Sequence, residues 1–238
     1  APTSVFVIWV VIGAVAQIAA TALLLRVMTE RNFTLGVAYS KTELVQVAIF
    51  GLVFLGDAVS LLTIVAIALA TTGVLCLAPA DRNHPIRGLV AGITSRTALF
   101  GIASGGGFAL AAVGYRGAAL DLDRDYLLAA AYTLLWAQAT QTLLLGGWLV
   151  IRDASIVGKL LRMWKPSMAA GFMGAAASIG YFTAFTLEPA AHVRTLGLAE
   201  LFFSIILSRR MFQERLRGLE IIGIILLVCG MIAILLDV

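Results

Sequence analysis

Charge is scarce in this sequence: Asp, Glu, Lys and Arg make up 13% of its 238 residues, about half their share in a soluble domain. Hydrophobic residues reach 61%, more than a soluble core of this size hides, so lipid has to act as solvent. Cysteine and histidine are nearly absent, with two of each. Cys76 and Cys229 lie in apolar runs and read as small core residues, not as a disulfide or metal pair. His84 and His192 are far apart in the chain, and neither belongs to a His-Glu-x-x-His run, which argues against zinc chemistry. No glycine loop ending in Lys-Ser or Lys-Thr is present, so neither an ATP-driven pump nor a bound cofactor is expected. An intramembrane hydrolase is a poor fit, because the glycines around Ser104 have the wrong spacing and His192 stands at a helix start. The net charge of +4 reads as Lys and Arg that fix topology from the loops, not as nucleic-acid contacts.

What the sequence does contain is a series of long apolar runs. They cover residues 5–27, 33–55, 59–77, 97–115, 126–150, 168–186, 189–207 and 219–236, and about 20 residues at 1.5 Å each match a hydrocarbon core of roughly 30 Å. The runs are continuously apolar rather than alternating, which points to helices and not to a barrel. The expected fold is an all-α polytopic membrane protein with eight transmembrane helices. Residue 1 is Ala and no charged segment precedes the first run, so that run is read as a span and not as a cleaved signal, with further chain expected upstream.

The chain aligns with itself at an offset of 157, from Gly13 to Leu77, without a gap. Glu43 falls on Glu200, Asp57 on Glu214 and Gly73 on Gly230. Apolar matches are cheap, but two acids 14 residues apart recurring in both halves carry more information. The first three spans thus correspond to the last three, and the fourth and fifth have no counterpart. If these two complete the second repeat, each repeat holds five helices. The expected organisation is three helices of a first repeat in residues 1–80, a loop in 81–96 and a five-helix repeat in 97–238. An odd helix number inverts one repeat relative to the other, as in many secondary transporters, and implies a ten-helix bundle with two helices before Ala1.

Phe54-Leu55-Gly56-Asp57 followed by an apolar helix with Gly73, and Phe212-Gln213-Glu214-Arg215-Leu216 followed by Gly223 and Gly230, resemble the repeat ends of the EamA-type branch of the drug/metabolite transporter superfamily. Asp57 stands where the family usually has Glu, Gln213 where it has Gly, and Ala66 where Gly223 matches a Gly. The resemblance implies an exporter of amino acids, other small metabolites or toxic compounds in a bacterial inner membrane. A structural or accessory membrane protein is the alternative class.

Glu43 and Glu200 each lie about ten residues into an apolar span, where a carboxylate is costly unless paired, hydrated or protonated. Two readings stay open: proton-coupled transport, or a structural link between repeats. Tyr39, four before Glu43, shares its face, whereas Lys41 points elsewhere and pairs with another helix or snorkels. Gln17 and Thr21 are four apart, Ser178 matches Thr21 through the repeat, and Tyr181 adds an aromatic wall; these line a path or bridge helices. Ser104-Gly105-Gly106-Gly107 should weaken its helix, and either opens backbone to a solute or lets helices approach closely. Tyr132 and Trp136 read as packing. Alternate loops collect thirteen Lys and Arg on one side against Arg116, Arg124 and Arg194 on the other, so the first side is expected in the cytoplasm and both ends outside; the resemblance implies the opposite for the termini. Lipid, a small-molecule solute and protons are the expected partners, with a second copy of the chain as a further one.

Overall fold

The computed structural model describes residues 2–29, 37, 39–77, 95–153, 155–201, 203 and 218–237, and the regular elements among them are all helical. They are α1 (Ser4–Met28), α2 (Glu43–Phe50), α3 (Leu61–Leu77), α4 (Arg96–Leu120), α5 (Tyr126–Gln141), α6 (Gly147–Arg152), α7 (Ser155–Arg162), α8 (Trp164–Leu187), α9 (Ala190–Gly197) and α10 (Gly218–Leu235). A π-helical turn at Gly51–Leu55 extends α2, and another at Thr142–Gly146 joins α5 to α6. Each of the eight apolar runs holds helix. Among the described residues, Ser4–Met28, Arg96–Leu120, Tyr126–Arg152 and Trp164–Leu187 are long and apolar enough to cross a membrane, while Glu43–Leu55, Leu61–Cys76 and Ile221–Leu235 are shorter apolar helices. Most of the loop expected at 81–96, the end of the seventh run and the motif copy at 212–216 fall outside the described residues.

The chain divides into two compact units, one of Ala1–Ile18 with Leu110–Glu188 and one of Ala19–Ala109 with Pro189–Val238. In the first unit, Phe6, Val10 and Ala118 form a buried cluster with Trp9, Leu122 and Tyr132 packed on it. Phe6 meets Tyr132 at 5.5 Å and Trp136 edge-on at 6.2 Å between ring centroids, so these aromatics pack as the sequence suggested. α1 and α4 approach closely, for a Cβ on Gly114 would lie 3.1 Å from the Gly13 Cα. Asp125 caps α5 through the Leu127 N–H at 3.3 Å, and α5 packs against α8. Arg116, expected as a loop cation, lies instead within α4, is buried, and donates to the Phe185 and Glu188 carbonyls. It thus satisfies carbonyls that the end of α8 leaves without helical partners.

The second unit is organised around the α3–α10 pair. A Cβ added to Gly73 would stand 2.7 Å from both the Gly223 oxygen and the Leu227 nitrogen; one added to Gly230 would stand 2.7 Å from the Ala66 oxygen and 2.8 Å from the Ala70 nitrogen. Only glycine admits backbone this close, and close approach is what drives association where lipid surrounds the helices. Contact positions rise along α3 as they fall along α10, so the two helices are antiparallel. Positions 66, 70 and 73 correspond to 223, 227 and 230 in the 157-residue register. Each contact is therefore made twice with its partners exchanged, as in an isologous interface.

Chain ends that eight alternating spans put on the same side meet within each unit. Ser60 and Thr63 at the start of α3, His192 in the first turn of α9 and Asp237 after α10 come together. Arg26 near the end of α1 and Arg96 at the start of α4 both lie over the Phe100 ring, at 5.9 and 5.4 Å from its centroid. In the other unit Thr3, before α1, donates to Asp121, after α4.

Candidate functional site

The second run is not one helix. Lys41 and Thr42 form a turn, and α2 begins at Glu43. The cause is local: Ser40 and Thr42 turn their hydroxyls onto the Val37 and Tyr39 carbonyls, each at 2.7 Å, offering the backbone an alternative to the helical ladder. Glu43 is thus the first residue of α2, at a turn where the Leu44 and Val45 N–H groups donate to the Lys41 and Thr42 carbonyls at 3.3 and 3.1 Å, rather than a residue deep in an uninterrupted α-helical ladder. Thr42 keeps helical backbone angles (φ −61°, ψ −9°), and Lys41 pairs outside its own run, one of the two roles expected for it.

The seventh run is interrupted at the matching place. α9 ends at Gly197, Leu198 forms a turn, and helix resumes at Ala199. The Leu44 N–H donates to the Lys41 carbonyl at 3.3 Å and the Leu201 N–H to the Leu198 carbonyl at 2.9 Å. These are the same i→i−3 bond, 157 residues apart. Glu43 and Glu200 each stand one residue before that donor.

Each acid takes a base from the opposite run. The Arg194 guanidinium, through Nε and Nη2, binds Glu43 Oε1. Lys41 Nζ lies 2.9 Å from Glu200 Oε1. The four residues carry no net charge, and they differ in burial: the side chain of Glu43 is 10% exposed and that of Glu200 57%. Arg194 also lies over the Phe108 ring, 5.9 Å from its centroid, which adds cation–π attraction. Tyr39 is buried beside the turn.

The glycines of α4 let it back onto this turn. A Cβ on Gly105 would stand 2.5 Å from the Ser40 oxygen and 3.1 Å from the Glu43 nitrogen, and one on Gly106 would stand 2.6 Å from Gln46 Oε1. Gln46 in turn donates to Thr42 Oγ1 at 3.0 Å and to the Ile102 carbonyl at 3.3 Å. α4 itself runs unbroken through Ser104–Gly107, so of the two readings open for these glycines the close helix approach is the one observed. Ser104 is buried and donates to the Ala20 carbonyl at 2.8 Å.

The remaining expected residues are distributed differently. Gln17 accepts from Gln141 Nε2 at 3.1 Å, and Gln141 also donates to Tyr115 Oη at 2.7 Å. Ser178 and Tyr181 lie on α8, with the Tyr181 ring 6.1 Å from that of Phe185. All of these belong to the first unit, whereas Tyr39, Glu43, Ser104, Glu200 and Thr21 belong to the second; Thr21 is exposed on α1. Arg194, assigned from the sequence to a loop, is the missed member of the site. Its position inside an apolar run, six residues before Glu200, was the available signal.

A second polar cluster borders a small cavity lined by Gly51, Asp57, Thr63, Pro189 and His192 with Val47, Ala48, Ala58, Val59 and Ala191. Thr63 Oγ1 lies 3.2 Å from His192 Nε2, and both Ser60 and Thr63 donate to the Asp237 carboxylate. Those hydrogen bonds hold the Asp237 carboxyl below its ordinary range. Gly56 ends the preceding π turn with φ +70°, a conformation glycine adopts without strain and the reason for Gly in the Phe-Leu-Gly-Asp segment.

Among known proteins, the sequence model of the family described as Magnesium transporter NIPA matches residues 159–237, about a third of the chain. The matched stretch includes α8, α9, Glu200 and α10. No curated protein matches the chain at a significant level. The apolar helices and this similarity support an integral membrane protein of transporter type.

Proposed function

We propose that the chain is a secondary transporter working by alternating access, with the ion pairs Glu43–Arg194 and Lys41–Glu200 at its translocation centre. One observation carries the reading: two helices interrupted at matching places, each presenting an acid at the break to a base from the other. Discontinuous helices of this kind supply backbone and charge to substrate at the bilayer midplane in many transporters. The antiparallel, partner-exchanging contacts of α3 and α10 support the inverted-repeat organisation, with residues 1–80 and 97–238 as the two repeats. An ionised carboxylate as open as Glu200 within a span has to face water, so its open side is assigned to a solute cavity.

The solute class follows from the charges. Two carboxylates facing two bases exchange partners with a zwitterion at no change in net charge, which agrees with an exporter of amino acids or similar metabolites in a bacterial inner membrane. Protons couple to this cycle if Glu200 is protonated when Lys41 leaves it. A second reading, favoured by the match at residues 159–237, is a divalent cation such as magnesium, which would take both carboxylates from their bases. Proteoliposomes holding the full chain separate the two. Counterflow of radiolabelled amino acids, lost in Glu43→Gln, supports the first, and saturable Mg²⁺ entry reported by a trapped dye supports the second. Absence of saturable flux for either class sinks the transporter assignment.

A further inference from the structure

Where the sequence suggests a plain loop between the spans Tyr126–Arg152 and Trp164–Leu187, the chain builds the separate helix α7. Helical geometry lapses on both sides of it, at Asp153 (φ −156°, ψ 90°) and Met163 (φ −102°, ψ 31°), so α7 continues neither span. Asp153 accepts from the Ser155 N–H at 3.0 Å and starts the helix. Its eight residues make about 12 Å of helix, too short to cross a core of roughly 30 Å.

Their order sorts them by face. In helical register, Ser155, Gly158, Lys159 and Arg162 fall within an arc of about 100°, and Ile156, Val157, Leu160 and Leu161 occupy the opposite side. The flanks continue the pattern. Arg152 lies over the Trp148 ring at 5.2 Å and Lys165 beside the Trp164 ring at 5.8 Å from the centroid, and both rings are exposed. Tryptophan carrying a cation is suited to the headgroup layer. Residues 152–165 hold four basic side chains and one acidic one, Asp153, whose carboxylate is engaged in capping.

We propose that α7 lies in the plane of the membrane surface and binds anionic phospholipid headgroups along its Lys159–Arg162 face, with Arg152 and Lys165 extending the site. The charge of the face selects the headgroup, and the apolar face supplies the anchor.

The test uses the full chain with Cys76 and Cys229 replaced by alanine and a dye on Gly158→Cys, a position with nothing within 4 Å of an added Cβ. In phosphatidylcholine vesicles, quenching of the dye by nitroxide-bearing phosphatidylglycerol is compared with quenching by nitroxide-bearing phosphatidylcholine. Preference for the anionic lipid is expected, falling about five-fold for each of Lys159→Gln and Arg162→Gln and falling as salt is raised. Arg26→Gln with Arg96→Gln, on other elements, should leave it unchanged. Equal quenching by the two lipids, which would leave the basic face to a soluble acidic partner, overturns the proposal. So does a loss as large in the Arg26/Arg96 variant as in the α7 variants.

Discussion

The two ion pairs of the site have opposite burial, and that asymmetry makes a quantitative forecast. Glu43→Gln leaves the Arg194 guanidinium, with 24% of its side chain exposed, facing a neutral amide. Removing one partner of a buried pair costs 3–5 kcal/mol; the partial exposure of Arg194 puts the expected loss near the lower end, about 3 kcal/mol, or on the order of 100-fold in the folding equilibrium. Adding Arg194→Gln to Glu43→Gln should recover most of this, because the uncompensated charge is then gone. Lys41→Gln instead releases Glu200, whose side chain is 57% exposed, and an open pair contributes about 0–1 kcal/mol. The assay is unfolding of the full chain in mixed micelles titrated with denaturing detergent, at low and high salt. Salt should erase the Lys41–Glu200 contribution and leave most of the other. Equal costs for Glu43→Gln and Lys41→Gln, or a double variant no better than Glu43→Gln alone, would refute the assignment of Glu43–Arg194 as the buried pair.

Three further outcomes can be measured on the same preparation. Gly73→Ala and Gly230→Ala should destabilise by similar amounts, about 1–3 kcal/mol each, because their added carbons meet backbone; Gly171→Ala and Gly174→Ala, which meet nothing within 4 Å, should be neutral or slightly stabilising. Gly56→Ala should cost about 1–2 kcal/mol in the same unfolding assay, since φ +70° is strained for a residue with a Cβ. Asp237 is an acid whose folded-state pKa is depressed, so its stabilisation is present above the unfolded value of about 3.9 and lost as pH falls through the lower folded value. Asp237→Asn should therefore flatten the acid limb of stability against pH below about 4, and an unchanged limb would assign it to other groups.

Much of the helical layout was legible in the sequence, because continuous apolar runs of span length have few alternatives in lipid. The break at Lys41–Thr42 was less so. A Ser-Lys-Thr triplet inside an apolar run is a local signal for hydroxyls that compete with the ladder, yet apolar periodicity averages over it. At Leu198 the only local cue is Gly197. The register that paired Glu43 with Glu200 was visible, but not what each acid binds: Lys41 and Arg194 are not equivalent in the repeat, so no alignment of the halves predicts the crossing. Arg116 and Arg194 were counted as loop charges because a charge near a span end looks topogenic, and only tertiary structure supplies their partners. α7 was missed because eight residues of mixed polarity fall below the length at which a run stands out.

The departure of Ala66 from the glycine at its counterpart Gly223 is informative about what the repeat constrains. At the α3–α10 crossing, the residues that must lack a side chain are Gly73 and Gly230, whose Cβ positions are filled by the partner's backbone. Ala66 takes part in the same crossing through its carbonyl oxygen, and it is fully buried with its methyl group in place. A position that offers only a carbonyl accepts alanine, whereas a position that receives the carbonyl does not. The two halves can therefore drift at 66 and 223 while 73 and 230 stay matched, and glycine identity at the latter pair carries more structural information than the leucines and isoleucines that also coincide. The same reasoning extends to the acids: Glu43 and Glu200 each stand two residues after the carbonyl that closes the matching turn, while the bases that answer them come from unmatched positions.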